Sequence, residues 1–400
     1  MSEISSSTIS IEELKLGMYV LNVKCEKRFF KIKTKGLVKS NDIINQLKKQ
    51  GVTSIVIRED KSLNPPTENL AVAQKPLPRP ASKKTLHKQK SVAEEFHQSC
   101  KIYDNATETI KDLFNDINTN KKINITAINQ LAEEITNSII RNEYAISILT
   151  RIRDKSTYQW EHAVNSAILM CGFVLFLGLK KEVATQIAIG ALLHDVGVAK
   201  IPKTILDKKG KLTPNEQKLT RKHLTWGHKI CHSQGLSNKI TTDMMINHHE
   251  RLDGSGYPRG LDASKLSRLA RITAIVDVYD AMTGSKYYKQ GVQPINALRY
   301  LMSKNEQFDR VLVQQFIKYM GVHPVGSVVK LSNETLAVIV KGNRKSPLQP
   351  SVIAFYNTKH KRNMTSKEYF LENESLSIQA SAKAEDYKIN ISKVIREVIG

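Results

Sequence analysis

The stretch His248–Leu261 reads HHERLDGSGYPRGL and constrains this chain more than any other feature. Two adjacent histidines and a carboxylate run directly into a Gly-Tyr-Pro turn. Histidine and aspartate recur in other apolar, helix-like runs: His194-Asp195 closes one, and Asp277 and Asp280 end ARITAIVDVYDAMT. Groups of this kind, drawn from several helical segments, are what a buried site with two or more metals needs. Imidazole nitrogen and carboxylate oxygen suit iron, manganese or zinc, and carboxylates can bridge ions.

The 400 residues are enough for two or three domains and at least one sizeable core. Cys25, Cys100, Cys171 and Cys231 stand far apart without CxxC spacing, which predicts free thiols rather than a disulfide framework or a zinc knot. The chain opens without an apolar h-region, and its most apolar run, Ala167–Leu179, is too short to span a bilayer. A cytoplasmic protein with no membrane span is therefore expected. The net charge of +23 comes from lysines scattered along the whole chain, with no RNP-like strand, zinc finger or helix-turn-helix spacing. No nucleic-acid polymer is expected as a partner; the basic field would speed capture of an anion without discriminating among anions.

The grammar of the chain changes three times. Residues 1–60 read as a small α+β domain: a capped start at Ser10, a strand in LKLGMYVLNV, a helix over Asp42–Lys49 and a strand in VTSIVIRE. Residues 61–92, rich in Pro and Lys, read as a semi-rigid linker. Helical periodicity then governs 93–323, with helices expected over Tyr103–Ile117, Thr126–Thr150, Lys181–Leu193, Pro214–Ser233, Lys239–His249, Arg268–Met282, Pro294–Ser303 and Asp309–Met320. From 324 to 400 the alternation in VGSVVKLSN, ETLAVIVKGN and PSVIAFYN predicts a small, mostly β region. The fold class is mainly α: a helical bundle with a small α+β domain before it and a small β appendix after it.

The combination of HD, HHE, the GYP turn and DVYDA resembles the HD-GYP family, the bacterial HD phosphohydrolases that degrade cyclic di-GMP. The resemblance covers roughly Ala93–Val322. EELKLGMYV and the strand after it are similar to the N-terminal domain of unknown function that often precedes HD-GYP domains, to which a regulatory or protein-contact role is assigned here. The family implies an all-helical HD-type bundle and two divalent ions, iron or manganese. By motif its ligands fall on His162, His194, Asp195, His223, His248, His249 and Asp277, with Asp195 as the bridging carboxylate. It also implies attack by a metal-bridging hydroxide, giving linear pGpG and/or GMP. Asp280, one turn after Asp277, is expected to orient the attacking water or protonate the leaving oxygen. Lys286 and Lys289 would hold substrate phosphate, and Tyr257 would line the cleft. Glu250 and Asp253 are expected to orient a ligating imidazole or to pin the loop to an arginine such as Arg271. Gly254 and Gly256 are expected to permit positive φ.

Two positions depart from the family. Val198 stands where HD-x-GK has its lysine, and the loss of such an electrostatic contact costs roughly 3 kcal/mol in the transition state; Lys200 is the candidate substitute. Tyr158 stands where three-metal members carry a glutamate, which favours two ions. Two further readings compete with cyclic di-GMP hydrolysis. One is a catalytically weakened member that binds nucleotide or a protein such as a diguanylate cyclase through its GYP loop or N-terminal domain. The other is a phosphodiesterase for another cyclic dinucleotide such as cyclic GMP-AMP. A homodimer is compatible with each reading.

Overall fold

The computed structural model describes residues 6–14, 18–25, 36–38, 41–49, 52–58, 89–152, 158–284 and 290–400. The chain divides into two compact units, Met1–Pro78 and Arg79–Gly400. The expected linker lies almost wholly outside the described residues, as do Lys286 and Lys289.

In the first unit, β1 (Ser6–Ser10), β2 (Tyr19–Cys25), β3 (Gly36–Leu37) and β4 (Val52–Arg58) pair antiparallel in the order β1-β4-β2-β3, with α1 (Asn41–Lys49) between β3 and β4. Ser10 closes a capping box with Glu13 at the start of a short 3-10 helix. Ile11, Leu14, Val20, Leu47, Ile55 and Ile57 form a small core of their own.

The second unit is built on helices α2 (Val92–Asn118), α3 (Ile125–Arg141), α4 (Ala145–Leu149), α5 (Tyr158–Phe176), α6 (Lys181–Leu193), α7 (Lys203–Leu206), α8 (Pro214–Thr220), α9 (His223–Ser233), α10 (Lys239–Asn247), α11 (Arg268–Thr283), α12 (Pro294–Ser303) and α13 (Arg310–Met320). Helices α5 and α6 are apolar around most of their circumference and form the centre of the bundle, as expected for helices covered on all sides. Two expected helices are split. Asn142 ends α3, and its Oδ1 accepts the N–H groups of Tyr144 and Ala145, which restarts the chain as α4. Residues Arg221 and Lys222 separate α8 from α9, so that His223 opens a new helix.

Strands β5 (Val328–Leu331), β6 (Thr335–Lys341), β7 (Ser351–Asn357), β8 (Arg362–Phe370) and β9 (Ile378–Ser381) form an antiparallel sheet ordered β8-β7-β6-β5-β9, followed by α14 (Ile391–Ile399). One face of the sheet, with Leu336, Val338, Val340 and Phe355, joins the apolar core of the bundle, as do Ile395 and Ile399 of α14. Its other face, with Val329, Ala337, Ile339 and Val352, buries a separate cluster. Cys100, Cys171 and Cys231 are free thiols; the side chain of Cys25 lies outside the described part. Among the described residues, no helix is long and apolar enough to cross a membrane.

One buried ion pair ties α2 to α3. Glu95 is fully buried and accepts from Arg141 Nε and Nη2 at 2.8 and 2.7 Å and from Ser138 Oγ at 3.0 Å. Replacing Arg141 with Met leaves that carboxylate buried without its bidentate partner, so a loss of about 3 kcal/mol is expected in urea denaturation. The double change with Glu95→Gln is expected to cost less than the single one.

Candidate metal centre

Local sequence places each candidate ligand at the end or on the inner face of a helix. His162 lies in the first turns of α5. His194 caps the C-terminus of α6, and Asp195 opens a 3-10 turn over Val196–Lys200. That turn lies backbone to backbone against α9: a Cβ on Gly197 would meet His223 O at 1.9 Å and Gly227 N at 2.5 Å. Glycine at 197 therefore sets how closely His194-Asp195 and His223 approach. His248 caps α10, and Asp277 and Asp280 share the inner face of α11.

All seven candidate ligands converge. Asp195 directs Oδ1 at His223 Nε2 (3.3 Å) and His248 Nε2 (3.4 Å), and Oδ2 at His162 Nε2 and His194 Nε2 (both 3.9 Å). Asp277 directs Oδ1 at His162 Nε2 (3.2 Å) and His194 Nε2 (3.8 Å), and Oδ2 at His249 Nδ1 (3.8 Å). Two ligand groups result: Asp195 with His223, His248 and His249, and Asp195 with His162 and His194. Asp195 belongs to both.

Outward hydrogen bonds fix the imidazoles. His194 Nδ1 donates to Ala191 O (2.7 Å), His223 Nδ1 to Thr220 O (2.7 Å) and His248 Nδ1 to Met244 O (3.1 Å). A carbonyl only accepts, so Nδ1 of each of these rings carries a proton, and Nε2 is the atom that faces inward. The Nε2 atoms of His194, His223 and His248 and Oδ1 of Asp195 are buried without a hydrogen-bond partner. Buried polar atoms are normally satisfied, and a cation answers all of these acceptors together. The donor set fits a divalent metal held by nitrogen and oxygen. Burial works against both carboxylates, yet the imidazoles around Asp195 and around Asp277 hold them well below the usual range. Burial and the adjacent His248 ring push His249 well below the ordinary histidine value.

Asp280 does not occupy the place expected of it. It is fully buried, with Oδ2 2.7 Å from His162 Nδ1, on the side of the ring away from Asp195. The geometry is that of a carboxylate orienting an imidazole. Tyr158 stacks on the same ring, nearly parallel at 5.8 Å between centroids. Burial opposes protonation of His162, but Asp277 and Asp280 prevail and raise it to about 10.

The loop after His249 also departs from expectation. Glu250 is buried and accepts the backbone N–H groups of Arg259 (2.8 Å) and Leu261 (2.9 Å), so it pins the loop through main chain and not through Arg271. Arg271 pairs with Asp309 at 2.9 Å. Asp253 caps an exposed turn at Ser255. Gly254 has φ +75°, as expected, but Gly256 does not need positive φ. It is required by close approach, because a Cβ there would lie 2.4 Å from Arg251 N. Tyr257 stacks on His249, 4.7 Å between centroids. Val198 packs against the apolar core, and Lys200 is no substitute for the missing lysine: its Nζ donates to Ile117 O at 2.7 Å, at the end of α2.

The Asp280 contact yields a test. Asp280→Asn can no longer fix the His162 tautomer by accepting as a carboxylate, so metal affinity is expected to fall roughly 10- to 100-fold in a competition titration. Unchanged affinity would show that His162 needs no such anchor.

The chain is similar to known proteins over both of its parts. A profile described as "HD domain" matches residues 149–312, and one described as "Domain of unknown function (DUF3391)" matches residues 6–128. A cyclic di-GMP phosphodiesterase from Pseudomonas aeruginosa is 30% identical over 357 residues, covering 88% of this chain and 86% of the relative. A 3'3'-cGAMP-specific phosphodiesterase from Vibrio cholerae is 33% identical over 162 residues, 40% of this chain and 37% of that protein. The solved structure of an HDG"Y"P protein from Bdellovibrio bacteriovorus aligns with 78% of this chain and 98% of its own, at 18% identity and a TM-score of 0.47. With its HD dipeptide, GYP loop and convergent ligand set, the chain belongs to the HD-GYP branch of the HD-domain family of metal-dependent phosphohydrolases.

Proposed function

We propose that the chain is a phosphodiesterase that hydrolyses cyclic di-GMP, opening one phosphodiester to give linear pGpG and, on a second cleavage, GMP. The observation that carries this reading is Asp195, whose two oxygens face two different pairs of imidazoles. The Pseudomonas aeruginosa relative, matched over 88% of this chain, supports the substrate. When bound, two divalent ions, iron or manganese, supply the Lewis acidity that activates water and neutralises phosphoryl charge.

The chain's own residues do the rest. His162 and His194 with Asp195 and Asp277 would hold one ion, and His223, His248 and His249 with Asp195 would hold the other. Asp280 acts by fixing His162, which replaces the water-handling role expected from sequence. Asp195 and His249 keep 23% and 21% of their side-chain surface exposed, whereas His194 and His248 have none. Substrate therefore approaches from the Asp195–His249 side, where Tyr257 lines the way in. Lys286 and Lys289 remain assigned to substrate phosphate. In the same reading residues 93–323 carry the chemistry, and the N-terminal α+β domain is a regulatory or protein-contact module.

Val198 is the observation that favours a weakened member, and the complete ligand set weighs against it. Turnover decides. Protein purified anaerobically and loaded with iron or manganese is expected to hydrolyse cyclic di-GMP in preference to 3'3'-cGAMP, and Asp195→Ala to lower the rate at least about a thousandfold. Metal-loaded wild type that leaves cyclic di-GMP intact would refute the assignment.

A further inference from the structure

A cationic side chain stands at the mouth of the centre. Arg221 lies between α8 and α9, two residues before the ligand His223, and its side chain is exposed. Its guanidinium carbon sits 4.5 Å from the centroid of the Tyr257 ring, and Tyr257 in turn stacks on His249. Arg221 thus touches Tyr257, and Tyr257 touches His249, one of the candidate ligands that keeps part of its side chain exposed.

Other arginines nearby are committed to holding structure. Arg251 donates to the carbonyls of His248 and Glu250, Arg259 to Asn247 Oδ1, and Arg271 pairs with Asp309. The guanidinium of Arg221 makes no hydrogen bond or ion pair among the described residues. Stacking on an aromatic face restricts a guanidinium while leaving its N–H fork free, and that fork matches the oxygens of a phosphate.

Electrostatics gives this arrangement a task. The centre gathers Asp195 with the buried Asp277 and Asp280, and a dianionic substrate entering it meets that negative charge along with the bound ions. The family's lysine would add positive charge beside the phosphate, but Val198 is apolar and Lys200 is turned to α2. We propose that Arg221, braced on Tyr257, binds a phosphate of the incoming cyclic dinucleotide and supplies the positive charge that position 198 lacks. The proposal rests on the phosphodiesterase reading and assigns a residue to its substrate site.

The test uses the metal-loaded full chain and cyclic di-GMP. Arg221→Gln is expected to raise KM roughly 10- to 100-fold, the range for losing a hydrogen bond to a charged group, with metal content and melting temperature unchanged. Arg221→Lys, which keeps the charge without the fork, is expected to fall between the two. Lys222→Gln removes the same charge one residue away and is expected to leave KM near wild type. A KM for Arg221→Gln within about twofold of wild type overturns the proposal, as does an equal rise in Lys222→Gln, which would reduce the effect to net charge. A rise in KM that tracks loss of metal also overturns it. Wild type inactive on cyclic di-GMP would instead overturn the phosphodiesterase reading beneath it; active wild type with an unaltered Arg221→Gln removes this inference alone.

Discussion

A carboxylate facing four imidazoles is the constraint on which the rest of this structure depends. Asp195 points one oxygen at His223 and His248 and the other at His162 and His194. Three of those rings have their outer nitrogen committed to a carbonyl, which fixes the ring orientation and directs Nε2 inward. The buried Nε2 atoms of His194, His223 and His248 and Oδ1 of Asp195 have no hydrogen-bond partner within the protein, and a bound cation would satisfy them together. A fold that maintains such a cluster is a metal-binding fold, and the bundle can be understood as the scaffold that maintains it.

Scaffold and site are linked at a few places. Helices α5 and α6 are apolar on nearly every side and close-packed within the core, which fixes their placement, and each delivers a ligand from near its end. The backbone contact at Gly197 locks the HD turn to α9 and hence to His223. Glu250 closes the GYP loop with two main-chain hydrogen bonds, which holds Tyr257 over His249. The ligands are thus placed by packing and by backbone contacts that side-chain substitution alters least. The rim is built from exposed side chains such as Arg221.

Much of this was legible in the sequence, and the failures have physical causes. The helical centre announced itself through apolar periodicity, and the seven ligand candidates through motif position; the structure brings all seven together. The role of Asp280 could not be read, because i, i+3 spacing places it on the same helix face as Asp277 without saying which side of His162 it meets. Lys200, two residues beyond position 198, points away from the centre to Ile117 O, as a two-residue displacement along a helical turn implies. Residues Arg221 and Lys222 carry no breaker, so the division between α8 and α9 left no local signal. Strand β8 is exposed over most of its length and shows no alternation to read. Helix α14 did carry an amphipathic pattern in Ile391, Ile395 and Ile399, but it is short and follows strands that set a different expectation.

The proposed sharing of Asp195 between two metal ions makes the number of ions bound per chain the decisive measurement. Protein reconstituted anaerobically with manganese and desalted would be analysed by inductively coupled plasma mass spectrometry, beside Asp195→Ala prepared identically and checked for retained helical circular dichroism. The account predicts two ions per chain in the wild type and fewer than one in the folded variant, because both ligand groups contain Asp195. A single ion in the wild type, or a folded Asp195→Ala that still holds two, would contradict it.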